Sequence, residues 1–214
     1  MFEVISNPVK RFTELINHPD WRRPLIIFLI ITAAVALLTT YLYVLPNRES
    51  ILEERNLTEE QVERARTYMD SPIAVISGPI AATVITLVRI LSFTLFFYLT
   101  LSLLDARKRY TEILNVTVNS ALIGIIGYAV KTPLLITTAR PPTTGLAAFI
   151  SGFDKGTFLF KFLDRIDFFA GWEVLVIIIG LSLLTRLDWK RLAVIIIPCW
   201  VLYNVVMATM GRPG

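Results

Sequence analysis

The stretch PLIIFLIITAAVALLTTYLYVL, residues 24–45, contains no charged side chain and ends at Pro46. A hydrocarbon core of roughly 30 Å needs about 20 helical residues to cross it, so this run is long enough to span. Four further runs meet the same test, at about 80–104, 113–138, 168–187 and 192–210, each bounded by charge, proline or glycine. The composition agrees: 55% of the 214 residues are hydrophobic and the mean hydropathy is +0.64, more apolar surface than a water-soluble domain of this length can cover. The expected fold class is therefore all-α, a polytopic membrane protein built as a five-transmembrane-helix bundle with short interfacial helices. Residues 1–23 form an expected cytoplasmic interfacial helix, and 24–214 the transmembrane domain.

The charge balance, 21 Lys plus Arg against 17 Asp plus Glu, is not a nucleic-acid footprint, because the cations gather at the ends of apolar runs. Dense basic groups occur at Lys10, Arg11, Arg22 and Arg23, at Arg107, Lys108 and Arg109, and at Arg186, Lys190 and Arg191. With an odd number of spans these fall on one side, which the positive-inside rule makes cytoplasmic. The expected topology is multi-pass, N-terminus cytoplasmic and C-terminus outside.

The extramembrane segments carry readable patterns. Phe2, Ile5, Val9, Phe12 and Ile16 recur at helical spacing, with Trp21 as an anchor, which suggests a helix lying on the cytoplasmic leaflet. On the opposite side, Thr58 with Gln61 forms a capping box, flanked by Leu57 and Val62 as a hydrophobic staple, and predicts a short acidic helix from about Glu59 to Met69. Phe158, Phe162, Leu163 and Ile166 share one helical face, as a second surface helix would. Asn56-Leu57-Thr58 and Asn115-Val116-Thr117 match the glycosylation triplet, and only the first is expected outside. Pro133 and Pro198 predict kinks in the third and fifth spans.

Three ionisable residues fall well inside the spans: Arg89, Lys131 and Glu173. On the expected topology they lie about 13, 10 and 8 Å below the outer helix ends, at 1.5 Å per residue. A charge at such depth costs about 2.5 to 3.5 kcal/mol on insertion scales, so each needs a partner or a polar cavity. Two arrangements answer this. Either Glu173 pairs with Lys131 or Arg89 while the remaining cation snorkels, or Arg89 and Lys131 line an outward cavity that holds an anionic headgroup or small anion, with Glu173 orienting them. Asn115, Asn119 and Asn204 read as interhelical glue, and Ser120 with Gly124 as a small-residue pair for close helix contact.

No catalytic residues, metal ligands or cofactor motifs are expected: no HExxH, GxSxG or P-loop pattern occurs, the lone histidine, His18, precedes Pro19 in a turn, and the lone cysteine, Cys199, permits no intrachain disulfide.

The pattern resembles the Yip family of multi-spanning membrane proteins, named for interaction with Ypt/Rab GTPases, in its prokaryotic Yip-one-domain branch. The resemblance rests on NPVKRFTELINHPDWRRPLIIFLII at the start, MDSPIAVISGPI before the second span, IIGYAVKTPLL in the third, DFFAGWEVLVIIIGLS entering the fourth and RLDWKRLAVIIIPCWVLYNV turning into the fifth. It implies a five-helix bundle with a cytoplasmic N-terminal part. Family members of eukaryotes contact prenylated small GTPases largely through N-terminal regions, whereas about 23 residues precede the first span here, which argues against such a partner. The implied function is non-enzymatic: helix packing with itself or other membrane proteins, and interaction with membrane lipids. The competing expectation is a transporter or channel with a cavity lined by Arg89, Lys131 and Glu173.

Overall fold

In a computed structural model of the chain, which describes residues 3–53, 57–138, 142–150 and 156–210, the architecture is helical and the described residues contain no β-strand. Short helices α1 (Glu3–Ser6) and α2 (Pro8–Asn17) lead into α3 (Arg22–Thr39), which continues through a π-helical turn, Thr40–Val44. The short helices α4 (Arg48–Glu53) and α5 (Glu59–Met69) follow, then α6 (Pro72–Leu103), α7 (Tyr110–Ala121) and α8 (Ile123–Thr138). A 3-10 turn, Leu146–Phe149, precedes α9 (Phe158–Arg165), α10 (Phe168–Thr185) and α11 (Trp189–Met210). The described residues thus contain 5 segments long and apolar enough to cross a membrane: Arg22–Val44, Pro72–Leu103, Tyr110–Thr138, Phe168–Thr185 and Trp189–Thr209.

The second span differs from its sequence reading at the start. Gly78-Pro79 reads as a break, yet α6 begins at Pro72 and runs through Pro79. Pro72 occupies the first turn, where a missing N–H costs nothing. Gly78 is a packing position: a Cβ there would lie 3.2 Å from Thr40 Oγ1, so its absence lets α6 approach the π-turn that ends α3. Pro133 and Pro198 likewise lie inside continuous helices, α8 and α11. The third span is interrupted elsewhere, at Leu122, where Leu122 N–H donates to Asn119 O at 3.4 Å and Ile125 N–H to Leu122 O at 3.1 Å. These i→i+3 bonds tighten the junction between α7 and α8.

Helix α7 is the axis of the bundle. Every residue from Ile113 to Ala121 is buried, so it has no lipid-facing side, as expected of a helix surrounded by others. It packs against α3, α6 and α10, and α11 packs on the far side of α10. Helix α10 crosses α7 at Gly180, where a Cβ would come within 2.6 Å of Val116 Cγ1 and 3.0 Å of the Phe12 ring. Gly124, half of the expected small-residue pair, makes only ordinary contact with Phe28 at 3.6 Å.

The N-terminal segment is docked into this assembly. Phe12, Leu15 and Val4 are buried in the main core, whereas Val9 and Ile16 of the same expected apolar face are exposed; Phe2 lies outside the described residues. Asn115 Nδ2 donates to Leu15 O at 3.1 Å and Asn119 Nδ2 to Asp20 O at 3.2 Å. Carbonyls near the end of α2 and in the following turn thereby gain partners inside the bundle. The asparagines act as glue, but toward the N-terminal backbone, and Asn115 is too buried to be a glycosylation acceptor. Asn56 lies outside the described residues.

At the other end of the bundle, α5 begins at Thr58, whose Oγ1 accepts from Gln61 N–H at 3.4 Å while Gln61 Oε1 accepts from Thr58 N–H at 3.1 Å. Ion pairs Arg66–Glu49 and Arg48–Asp70 hold α4 and α5 together. Helix α9 lies against α11 and the 3-10 turn, with Phe158 stacked on Phe162 at 6.2 Å between ring centroids.

Candidate functional site

The helix order leaves a seam between α6 and α11. Helices α6 and α11 flank α7 and α10, but along the seam they meet at the edge-to-face pair Phe93–Tyr203, with centroids 5.3 Å apart. Around that contact and toward α9, the helices line an open-sided cavity of about 770 Å³. Arg89, Lys131 and Glu173 all line it, one each from α6, α8 and α10. Three residues that sequence reading did not single out join them: Asp164 and Arg165 at the end of α9, and Asp167, which caps α10.

Asp167 explains Lys131. Its Oδ1 accepts from Ala170 N–H at 2.7 Å, the N-cap bond of α10, and its Oδ2 forms an ion pair with Lys131 Nζ. The carboxylate is thus held at a helix N-terminus, where the backbone dipole favours negative charge. The expected Lys131–Glu173 pair is not made. Asp167 lies six positions earlier in the chain than Glu173, closer to the helix end, and the lysine stem reaches up to it. The signal for Asp167 was present as an Asp immediately before an apolar helical run.

Arg89 and Glu173 are in a different condition. Among the described residues neither side chain takes part in a hydrogen bond or in an ion pair within 4.0 Å. Glu173 nevertheless lies in the electrostatic field of both Arg89 and Asp167.

The roof is held tightly. Leu146 N–H donates to Ile166 O at 3.0 Å and Gly145 N–H to Asp164 Oδ1 at 3.4 Å. A Cβ on Gly145 would fall 2.3 Å from Asp164 O and 2.5 Å from Leu163 O, so only glycine permits this approach of the 3-10 turn to α9. The floor is mainly aromatic and aliphatic, formed by Phe93, Phe97, Ile177, Ile196 and Tyr203, with Thr117 as a polar member whose hydroxyl donates to Ile113 O at 3.0 Å. Lining stops at Phe97 on α6 and Ile177 on α10, so the cavity does not reach the ends of these helices nearest α2.

The arrangement therefore presents charges at the α9 end and apolar surface deeper in the bundle. Cys199 contributes a lone thiol to the wall, and among the described residues no three His, Cys, Asp or Glu side chains converge as metal ligands.

Apolar spans wrapped around a central helix buried from Ile113 to Ala121, with a charge-lined cavity at one end, define a polytopic α-helical membrane protein. The chain matches the family model of the Yip1 domain over residues 2–210 and belongs to that family. No curated protein and no solved structure matches it.

Proposed function

We propose that this chain is a non-enzymatic membrane protein that organises lipid by holding one lipid molecule in the cavity between α6, α10 and α11, with the headgroup in the charged end that Arg89, Lys131 and Glu173 line. The observation that carries the reading is the division of a single cavity of about 770 Å³ into a charged end and an apolar end. Amphiphile sites need both: polar groups that fix the head and apolar walls that accept the chains. The seam between α6 and α11, closed by one aromatic pair, is a lateral route for acyl chains.

The same observation favours binding over conduction. A transport path would need polar lining on both sides of the bundle centre, whereas this cavity ends against Phe97, Thr117, Ala121 and Ile177. The side carrying α2 and the basic loop Arg107–Lys108–Arg109 is assigned to the cytoplasm by the positive-inside rule, which places the cavity in the outer half. Self-association or association with other membrane proteins through the exposed faces of α3 and α6 belongs to the same reading, and a small-GTPase partner does not.

The test is ligand-linked stability. Phospholipid added to the delipidated, detergent-solubilised protein should raise the melting temperature, because a ligand that binds only the folded state stabilises it. The effect should vanish in Arg89→Met/Lys131→Met. A double variant stabilised by lipid as strongly as the wild type would refute the site.

A further inference from the structure

We infer that the lipid held in this cavity carries a zwitterionic phosphoethanolamine headgroup, its phosphate on Arg89 and its primary ammonium on Glu173. This rests on the lipid-holding reading above and names the ligand class.

The argument begins with the charges that line the cavity. Its cations are Arg89, Lys131 and Arg165, and its acids Asp164, Asp167 and Glu173. Lys131 and Asp167 neutralise one another. Arg165 is exposed and adjacent in the chain to Asp164, whose Oδ1 accepts from Gly145 N–H, so these two opposite charges lie together at the α9 end. Arg89 on α6 and Glu173 on α10 remain, of opposite sign, lining the same cavity from two helices without forming an ion pair with one another.

A purely anionic headgroup suits half of that pair. Its phosphate would meet Arg89, but it would place a further negative charge beside the Glu173 carboxylate that lines the same cavity. In a region of low dielectric, that repulsion is poorly screened. A zwitterion serves both walls: the phosphate accepts charge-assisted hydrogen bonds from the guanidinium, and the ammonium donates to the carboxylate.

A primary ammonium is favoured over a quaternary one by position. A quaternary cation is held by aromatic faces, and here the aromatic pair Phe93–Tyr203 lies one turn deeper than Arg89, on the side of the acyl chains. The group level with the charges is a carboxylate, which offers hydrogen-bond acceptors that only a primary ammonium can use.

The test is a competition. Delipidated, detergent-solubilised wild-type protein is offered equimolar dioleoyl phosphatidylethanolamine, phosphatidylcholine and phosphatidylglycerol, and retained lipid is read by native mass spectrometry. Retention of the ethanolamine lipid about tenfold above the other two is expected, the worth of one charge-assisted hydrogen bond. Glu173→Gln, which is isosteric, should lower ethanolamine retention to the glycerol level, and Arg89→Met should remove both. Equal or greater retention of phosphatidylglycerol by wild type overturns the zwitterion while leaving the lipid site standing. Equal retention of phosphatidylcholine overturns the primary ammonium. Retention of no lipid defeats the lipid site itself. Stabilisation by free O-phosphoethanolamine but not by the lipid would make the ligand a soluble one and overturn the lipid source. The wild-type comparison decides the matter even if a variant fails to fold.

Discussion

Lys131, in the third span, is ion-paired to Asp167, the residue that caps the fourth, 36 positions further along the chain. One carboxylate thus ends a helix and neutralises an intramembrane cation. The pair is only partly sheltered, with side-chain exposures of 35% and 9%, so its worth lies between that of a surface bridge and a buried one.

Asp167→Asn keeps a capping oxygen but removes the counter-charge, and should destabilise the protein by about 1–3 kcal/mol. Asp167→Ala should cost about 1 kcal/mol more through the lost cap. Lys131→Met introduced beside Asp167→Asn should recover most of the loss, because the stranded ammonium is gone. Reversible unfolding in mixed micelles gives the double-mutant cycle, and strictly additive effects would contradict the pairing.

Gly180→Ala should drive a methyl into Val116 and Phe12, which stand 2.6 and 3.0 Å from the Cβ position. Overpacking of this kind costs about 1–3 kcal/mol. Because Phe12 is the anchor of α2, the expected consequence is an undocked N-terminal helix, seen as faster hydrogen exchange over residues 8–17 and easier proteolysis at Lys10 and Arg11. Val116→Ala should restore protection in the same background. Unchanged exchange would mean that α2 is held by other contacts.

The contact between α4 and α5 should depend on acid. The hydrogen bond from Arg66 holds the Glu49 carboxyl below the usual carboxylate range. A depressed acid contributes stability that is complete above its ordinary pKa and is lost as the pH falls through the lowered value. Spin labels on α4 and α5 should therefore report one constant distance through neutral pH and a broadened distribution in acid. High salt should weaken the same contact at any pH, since both partners are exposed. A distribution equally broad at neutral and acid pH would discount the bridge.

Orientation is tested by a cysteine at Glu60, in α5. In a Cys199→Ser background it should react with a membrane-impermeant maleimide from the non-cytoplasmic side. Labelling only from the cytoplasmic side would invert the proposed topology and move the cavity to the inner half.

Much of the architecture was legible because spanning is a local property. Residues 24–45 and 168–187 must be helices in a hydrocarbon layer whatever surrounds them, since no water is there to satisfy the backbone. The Thr58–Gln61 capping box was legible for the same reason: both partners lie within one turn. The start of α6 was not, because Gly78-Pro79 reads as a breaker only when neighbours are ignored. Beside Thr40, the glycine serves close packing and the helix continues through the proline.

The candidate site was legible in part. Charge in an apolar run marked Arg89, Lys131 and Glu173, and all three line one cavity. Asp167 escaped notice because an Asp at a helix start is ordinary. Its proximity to Lys131 depends on how α8 and α10 are rotated and shifted against each other. The docking of α2 was illegible as well, since an amphipathic helix suits a membrane surface and a protein groove equally; only the Gly180 gap and the asparagines of α7 distinguish them.

The sequence by itself determined that this chain crosses a membrane with five helices and carries charges within them, because apolar length and burial cost are written residue by residue. Tertiary structure alone decided that α7 is buried on every side, that Lys131 belongs to Asp167, and that Arg89 and Glu173 face one cavity without touching. Those are relations between distant segments, and membrane helices, which all present apolar surface to lipid and to each other, encode their neighbours in shape more than in hydrophobicity.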